Sequence, residues 1–171
     1  MFKNFSFFLI IFLSTFSFLF TKSTVNNENY YLKPIDVSYI SSYFGYREIY
    51  EKINFHDGID YPACENTKVY ATKSGVVTNA SFLNGYGNTV TILHDDSTKS
   101  LYAHLSEDYL VYTGQTISQG QVIAKVGPKY LSNGNLNGFT TGPHLHFSIF
   151  DLNGKQIDPL TVNLQEKKEV N

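Results

Sequence analysis

Of the 171 residues none is tryptophan and one is cysteine, and only 16% carry a charged side chain. A lone cysteine excludes an intrachain disulfide, so Cys64, in the turn-like "YPACENTKV", reads as a loop residue without a role. The sparse charge nearly cancels, to a formal −2 at pH 7, which leaves no clustered basic face and excludes nucleic acid as a natural partner. Helical periodicity is also missing: no window of a dozen residues keeps apolar positions at a 3.6 spacing, so helix should be scarce. The zinc-protease helix signature HExxH does not occur either, so no glutamate is placed as a base in that way.

What is present is a chain 42% hydrophobic with 13 tyrosines and 14 phenylalanines, a globular rather than disordered composition. Its length suits one domain of about 100 to 150 residues plus accessory segments. The opening "MFKNFSFFLIIFLSTFSFLFTKS" has one early lysine and then an uncharged, Phe-rich run from Phe5 to Phe20. That is a secretory signal pattern, and the run is shorter than the roughly 20 residues that span a bilayer. Residues 1–22 are therefore expected to be a signal peptide or, lacking a clean A-x-A cleavage site, a signal anchor to the membrane. The remainder is expected to be exported, to the periplasm, cell wall or medium. Export without disulfides asks for some other stabilising or operating device.

Residues 23–34 are polar and aperiodic and read as a linker, and 165–171 as a solvated polar tail. Between them lie short strand-like runs, "KVYAT", "GVVTNA", "NTVTIL", "SLYAHL", "QVIAKV" and "HLHFSIF", separated by Ser-Gly, Asn-Gly, Gly-Asn and Gly-Pro turn signals. Their spacing predicts an all-β fold, a small antiparallel sandwich or barrel. The Gly- and Asn-rich "PKYLSNGNLNGFTTGP" interrupts the pattern where site-building loops tend to lie.

The five histidines are His56, His94, His104, His144 and His146. His144 and His146 stand in "GPHLHFSIF", where strand geometry puts them on one face, about 6.6 Å apart. His56 and Asp60 stand in "FHDGIDYP". On a regular strand they would be about 13 Å apart, too far to share one ion, so the chain must fold between them. Asp57-Gly58 would permit this through the positive φ that glycine tolerates. Two imidazoles and a carboxylate suit a catalytic zinc with an open fourth position, the trio being His56, Asp60 and one of His144 or His146. The other member of the pair, with His104 in "LYAHL", can accept a proton, imidazole having a pKa of about 6.5. His94, in "ILHDD" at a strand end, has no such companion and reads as structural.

The stretches "SSYFGYR", "FHDGIDYP", "VYATKSGVV", "GYGNTVTILH", "LYAHL" and "TTGPHLHFSI", in that order, resemble the lysostaphin/LytM-type zinc metallopeptidases, which cut peptide bonds in bacterial peptidoglycan. The resemblance implies a metallopeptidase domain over 35–164 with the duplicated hybrid motif fold, and loops around Ile49 to Asn54, Phe82 to Asn88 and Lys129 to Phe139 walling a substrate groove. It implies one Zn2+ per chain on His56, Asp60 and His146, with His144 and His104 as catalytic histidines and Tyr50 as an additional catalytic tyrosine. Arg47 would be a structural anchor, the partners peptidoglycan peptides and the active unit a monomer. Two other readings compete. A non-catalytic relative would activate another wall hydrolase or support an envelope assembly, though such relatives typically lose ligand residues. A lipoyl-type or phosphocarrier module, suggested by "VYATKSGVV", conflicts with the export pattern.

Overall fold

The structure, a computed structural model, describes residues 30–49 and 51–166. The signal or anchor segment, most of the linker and tail, and Tyr50 lie outside the described residues. Among the described residues no helix is long and apolar enough to cross a membrane, and helix is limited to one 3-10 turn, Pro159–Thr161.

Thirteen strands follow one another among the described residues: β1 Tyr31–Leu32, β2 Gly45–Ile49, β3 Lys52–His56, β4 Ile59–Pro62, β5 Lys68–Tyr70, β6 Gly75–Leu83, β7 Gly87–His94, β8 Lys99–Ala103, β9 Thr116–Ile117, β10 Val122–Lys125, β11 His144–Phe150, β12 Gln156–Ile157 and β13 Leu164–Gln165. The fold is thus all-β, and every pairing among the described strands except β1 with β13 is antiparallel. The main sheet runs β12-β11-β8-β7-β6-β9, with β4 beside the first half of β11. A small β5-β10 sheet and the β2-β3 hairpin complete the arrangement.

The strands form where alternation lets one face turn inward. Val77, Val90, Ile92, Tyr102, Leu145, Phe147 and Ile149 of the main sheet share one buried cluster with Val69, Ile123 and Ala124 of the small sheet. Each Val, Leu, Ile or Phe side chain removed from water contributes roughly 1.5–3 kcal/mol, which makes this cluster the main reason the two layers stay together. All six strand-like runs read from the sequence overlap β5, β6, β7, β8, β10 and β11, some running a residue or two past the strand ends.

Two boundaries differ from expectation. Tyr31 and Leu32, within the segment read as linker, form β1 against Leu164 and Gln165, the latter in the expected tail. A two-residue strand offers no alternation to read, yet Tyr31 is nearly buried and belongs to the core cluster.

What matters for the site is the position of β11. Its first half has β4 on one edge and β8 on the other, so that His146 stands level with Asp60 on one side and Ala103 on the other. Asp60 is held from its far side too, by paired backbone hydrogen bonds with Ser41 and Ser42.

Candidate metal centre

His56 is the last residue of β3 and Asp60 the second of β4, so the chain does break between them at Asp57-Gly58. The reason for glycine is different from the one expected. Gly58 is absent from the positive-φ glycines, but a Cβ there would lie 2.5 Å from the Phe147 carbonyl oxygen and 2.8 Å from His146 Cε1. Its role is to let this backbone lie against β11, not to supply a left-handed turn.

That close approach brings three buried side chains together. His56 Nε2 lies 3.1 Å from Asp60 Oδ1, His146 Nδ1 lies 3.0 Å from the same oxygen, and the two ring nitrogens are 3.0 Å apart. The opposite ring nitrogens identify the tautomers. His56 Nδ1 faces the Tyr43 carbonyl at 2.9 Å, and a carbonyl can only accept, so the proton sits on Nδ1 and Nε2 turns a lone pair inward. His146 Nε2 faces the Asp57 carboxylate at 3.2 Å, which leaves Nδ1 as its inward lone pair.

Three electron-rich atoms therefore converge, an arrangement that calls for a cation at their centre. Two imidazole nitrogens and a carboxylate oxygen are a zinc donor set, and tetrahedral bonds of 2.0–2.1 Å put ligand atoms about 3.3 Å apart, close to the spacing here. His56, Asp60 and His146 could hold a metal ion.

The electrostatics agree. Burial would raise the Asp60 carboxyl, but hydrogen bonds with His146 and His56 and the charge of His146 outweigh it and hold the group well below the usual carboxylate range. Burial would lower His146, and contacts with Asp57 and Asp60 reverse that and raise it. Both directions express a pocket that favours positive charge.

His144 and His104 stand beside this cluster. His144 Nδ1 donates to the Gly142 carbonyl at 2.8 Å, leaving Nε2 as a lone pair 3.6 Å from Asp60 Oδ1. His104, just past β8, has φ 56, a left-handed conformation uncommon outside glycine that marks a held geometry. Its Nδ1–H donates to the Asn137 carbonyl at 2.7 Å, and its ring centroid lies 4.6 Å from that of His144. Burial, then the charge of His144, pushes His104 down to about 3, and burial lowers His144 as well despite Asp60 and the Gly142 carbonyl. Two neutral imidazoles with free lone pairs thus stand beside the cluster at neutral pH.

All five described site residues expected from the sequence line one cleft of about 910 Å³, a volume suited to a peptide-sized ligand. Each predicted wall contributes to it, through Ile49 and Asn54, Gly85 and Tyr86, and Leu136 and Phe139. Arg47 also faces it, its Nη1 donating to Ser42 Oγ and lying 3.5 Å from Asp60 Oδ2.

Other contributors were not singled out from sequence. Asn137 is fully buried, its Oδ1 accepting from the Asn88 amide at 2.9 Å and its Nδ2 donating to the Leu105 carbonyl at 2.9 Å. Asp57, Tyr86 and Gln156 meet behind His146. Asp57 stands beside His56, and Tyr86 and Asn137 fall inside the expected groove walls Phe82 to Asn88 and Lys129 to Phe139; Gln156 carries no such signal.

Residues 54–159 match the family described as Peptidase family M23. The DD-carboxypeptidase/endopeptidase Mpg of Neisseria meningitidis serogroup B is 38% identical over 135 residues, spanning 78% of this chain and 29% of that protein. Among solved structures, a zinc containing peptidase from Vibrio cholerae superposes with TM-score 0.64 at 30% identity, covering 77% of this chain and 39% of the other. The catalytic domain of lysostaphin from Staphylococcus simulans superposes with TM-score 0.59 at 30% identity, covering 74% and 90%.

Proposed function

This chain belongs to peptidase family M23, and we propose that it is an exported, zinc-dependent endopeptidase that hydrolyses peptide bonds in bacterial peptidoglycan. The observation that carries the reading is the convergence of three inward lone pairs on His56, Asp60 and His146 with two further neutral imidazoles beside them in one cleft. A wall substrate is supported by similarity to peptidoglycan enzymes such as Mpg, and export by the signal-like opening of the sequence.

His56, Asp60 and His146 would hold the metal. Zinc in such a site supplies Lewis acidity for the scissile carbonyl and lowers the pKa of a water towards about 7. His144 would accept the proton of the attacking water through Nε2, its Nδ1–H kept in place by the Gly142 carbonyl. His104 would orient that water by accepting one of its hydrogens at Nε2, with the Asn137 carbonyl fixing its ring through Nδ1–H. The family resemblance also supports Tyr50 as a further catalytic tyrosine. The leaving amine would take its proton back from the histidine pair.

The test is incubation of the zinc-loaded protein with purified sacculi near neutral pH, followed by mass spectrometry of released muropeptides. New amine termini in the released peptides are expected, and their identity would name the bond cut. A protein that binds zinc and releases nothing would overturn the hydrolase reading in favour of a non-catalytic envelope partner.

A further inference from the structure

We propose that Asp57 is a positioning residue for the metal ligand His146, braced by Tyr86 and Gln156, so that four side chains from distant parts of the sequence form one relay behind the metal. The proposal rests on the reading of His56, Asp60 and His146 as metal ligands and extends it to residues that touch no substrate.

The relay begins at the ring nitrogen of His146 that points away from the cluster. Nε2 lies 3.2 Å from Asp57 Oδ1 and 2.9 Å from Ser148 Oγ. The other oxygen of Asp57, Oδ2, accepts from the Tyr86 hydroxyl and, at 2.8 Å, from Gln156 Nε2. Gln156 Nε2 also donates to the Tyr86 oxygen at 3.1 Å, so the tyrosine accepts from the amide and spends its proton on the carboxylate. Oδ2 is thereby occupied, and Oδ1 is left for His146.

The bracing groups come from separate elements. Asp57 lies between β3 and β4, Tyr86 in the β6–β7 turn, and Gln156 on β12. Asp57 lines the cleft, Asp57 and Gln156 are both half-buried, and neither belongs to the buried apolar cluster. Gly58 packs its backbone against the His146 ring, which keeps the Asp57 carboxylate beside the ring rather than in solvent.

A carboxylate on the outer N–H of a ligand histidine fixes the tautomer, holds the ring plane and makes the inner nitrogen more basic towards metal. Ser148 could fix the ring plane alone. It could not supply negative charge, and this difference separates the roles of the two partners.

The experiment uses the full chain and zinc itself. Zinc affinity is measured by competition with a chromophoric chelator for wild type, D57A, D57N, Y86F, S148A and H146A, with thermal melts to confirm folding and the absorption spectrum of the cobalt-loaded protein as a second readout. D57A is expected to bind zinc about 10- to 100-fold more weakly, with altered cobalt bands. D57N keeps an acceptor of the same shape and is expected to recover part of that loss, and Y86F to show a smaller weakening. Equal affinity and an unchanged cobalt spectrum in folded D57A or D57N would overturn the proposal while leaving the metal centre intact. Failure of wild type to bind zinc, or binding undiminished by H146A, would overturn the metal reading and this proposal with it.

Discussion

His104 donates its Nδ1–H to the backbone carbonyl of Asn137 at 2.7 Å, and the side chain of that same asparagine ties Asn88, at the start of β7, to Leu105, just past β8. One buried residue therefore aims a histidine through its backbone while anchoring the cleft wall through its amide. Asn137→Ala removes bonds to the Asn88 amide and to the Leu105 and Pro128 carbonyls; the Leu105 carbonyl keeps the Asn88 side-chain amide at 3.3 Å, while the buried Asn88 N–H loses its acceptor. The expected loss is about 1–3 kcal/mol in chemical denaturation, the cost of one orphaned buried group. Asn137→Asp should not rescue it, since a carboxylate cannot donate to those carbonyls. An unchanged denaturation midpoint would show that water replaces the lost bonds.

His104→Ala and His144→Ala separate metal binding from chemistry. Neither residue belongs to the converging trio, so both variants should retain one zinc per chain by metal analysis. Cleavage of sacculi should fall about 10²- to 10⁴-fold, the usual contribution of a positioned proton acceptor. Retained cleavage in either variant would remove that histidine from the mechanism.

Gly58→Ala tests the close approach of the β3–β4 connection to β11. An added Cβ would sit 2.5 Å from the Phe147 carbonyl oxygen, 2.6 Å from Ser148 Oγ and 2.8 Å from His146 Cε1, so backbone must move. Overpacking of this kind costs about 1–3 kcal/mol. Because the displaced ring is a proposed ligand, zinc affinity should fall together with the melting temperature; a drop in one without the other would contradict the geometry.

His94 gives a pH prediction away from the cluster. It is buried, its Nδ1 donates to the Ser74 carbonyl, and its Nε2 meets Ser100 Oγ at 2.9 Å. Burial lowers its pKa although Ser74 and Asp96 pull the other way. Below about pH 6.5 the unfolded imidazole takes up a proton that the folded one resists, so the unfolded state binds more protons. Its contribution is whole above that pH and declines as the pH falls, by at most about 1.4 kcal/mol per unit. Melting temperatures of wild type and His94→Gln followed from pH 7 to pH 5 should converge or cross, the variant declining less; parallel curves would exclude His94 as a source of acid sensitivity.

Much of the fold was legible because its central strands alternate. "HLHFSIF" places both histidines on one face and Leu145 and Phe147 in the core, and the structure has that strand at His144–Phe150. The β2-β3 hairpin was not legible as strands. Tyr46, Ile53 and Phe55 are exposed, so the residues carry no inward-facing pattern, and the pairing is visible only in space. The β1-β13 pair escaped for a related reason, since each strand has two residues and its partner lies at the far end of the chain.

The sequence by itself determined the all-β class, the chemical types needed for a metal centre and the strand carrying two of its histidines, because alternation and side-chain chemistry are local properties. Tertiary structure decided which atoms converge. It turned His146 Nδ1 and His56 Nε2 inward by giving their opposite nitrogens to Asp57 and Tyr43. It also gave Gly58 a packing role where a turn was expected, and brought Tyr86 and Gln156 to Asp57. These relations join residues far apart in sequence, and register between strands sets them, so no local pattern could encode them.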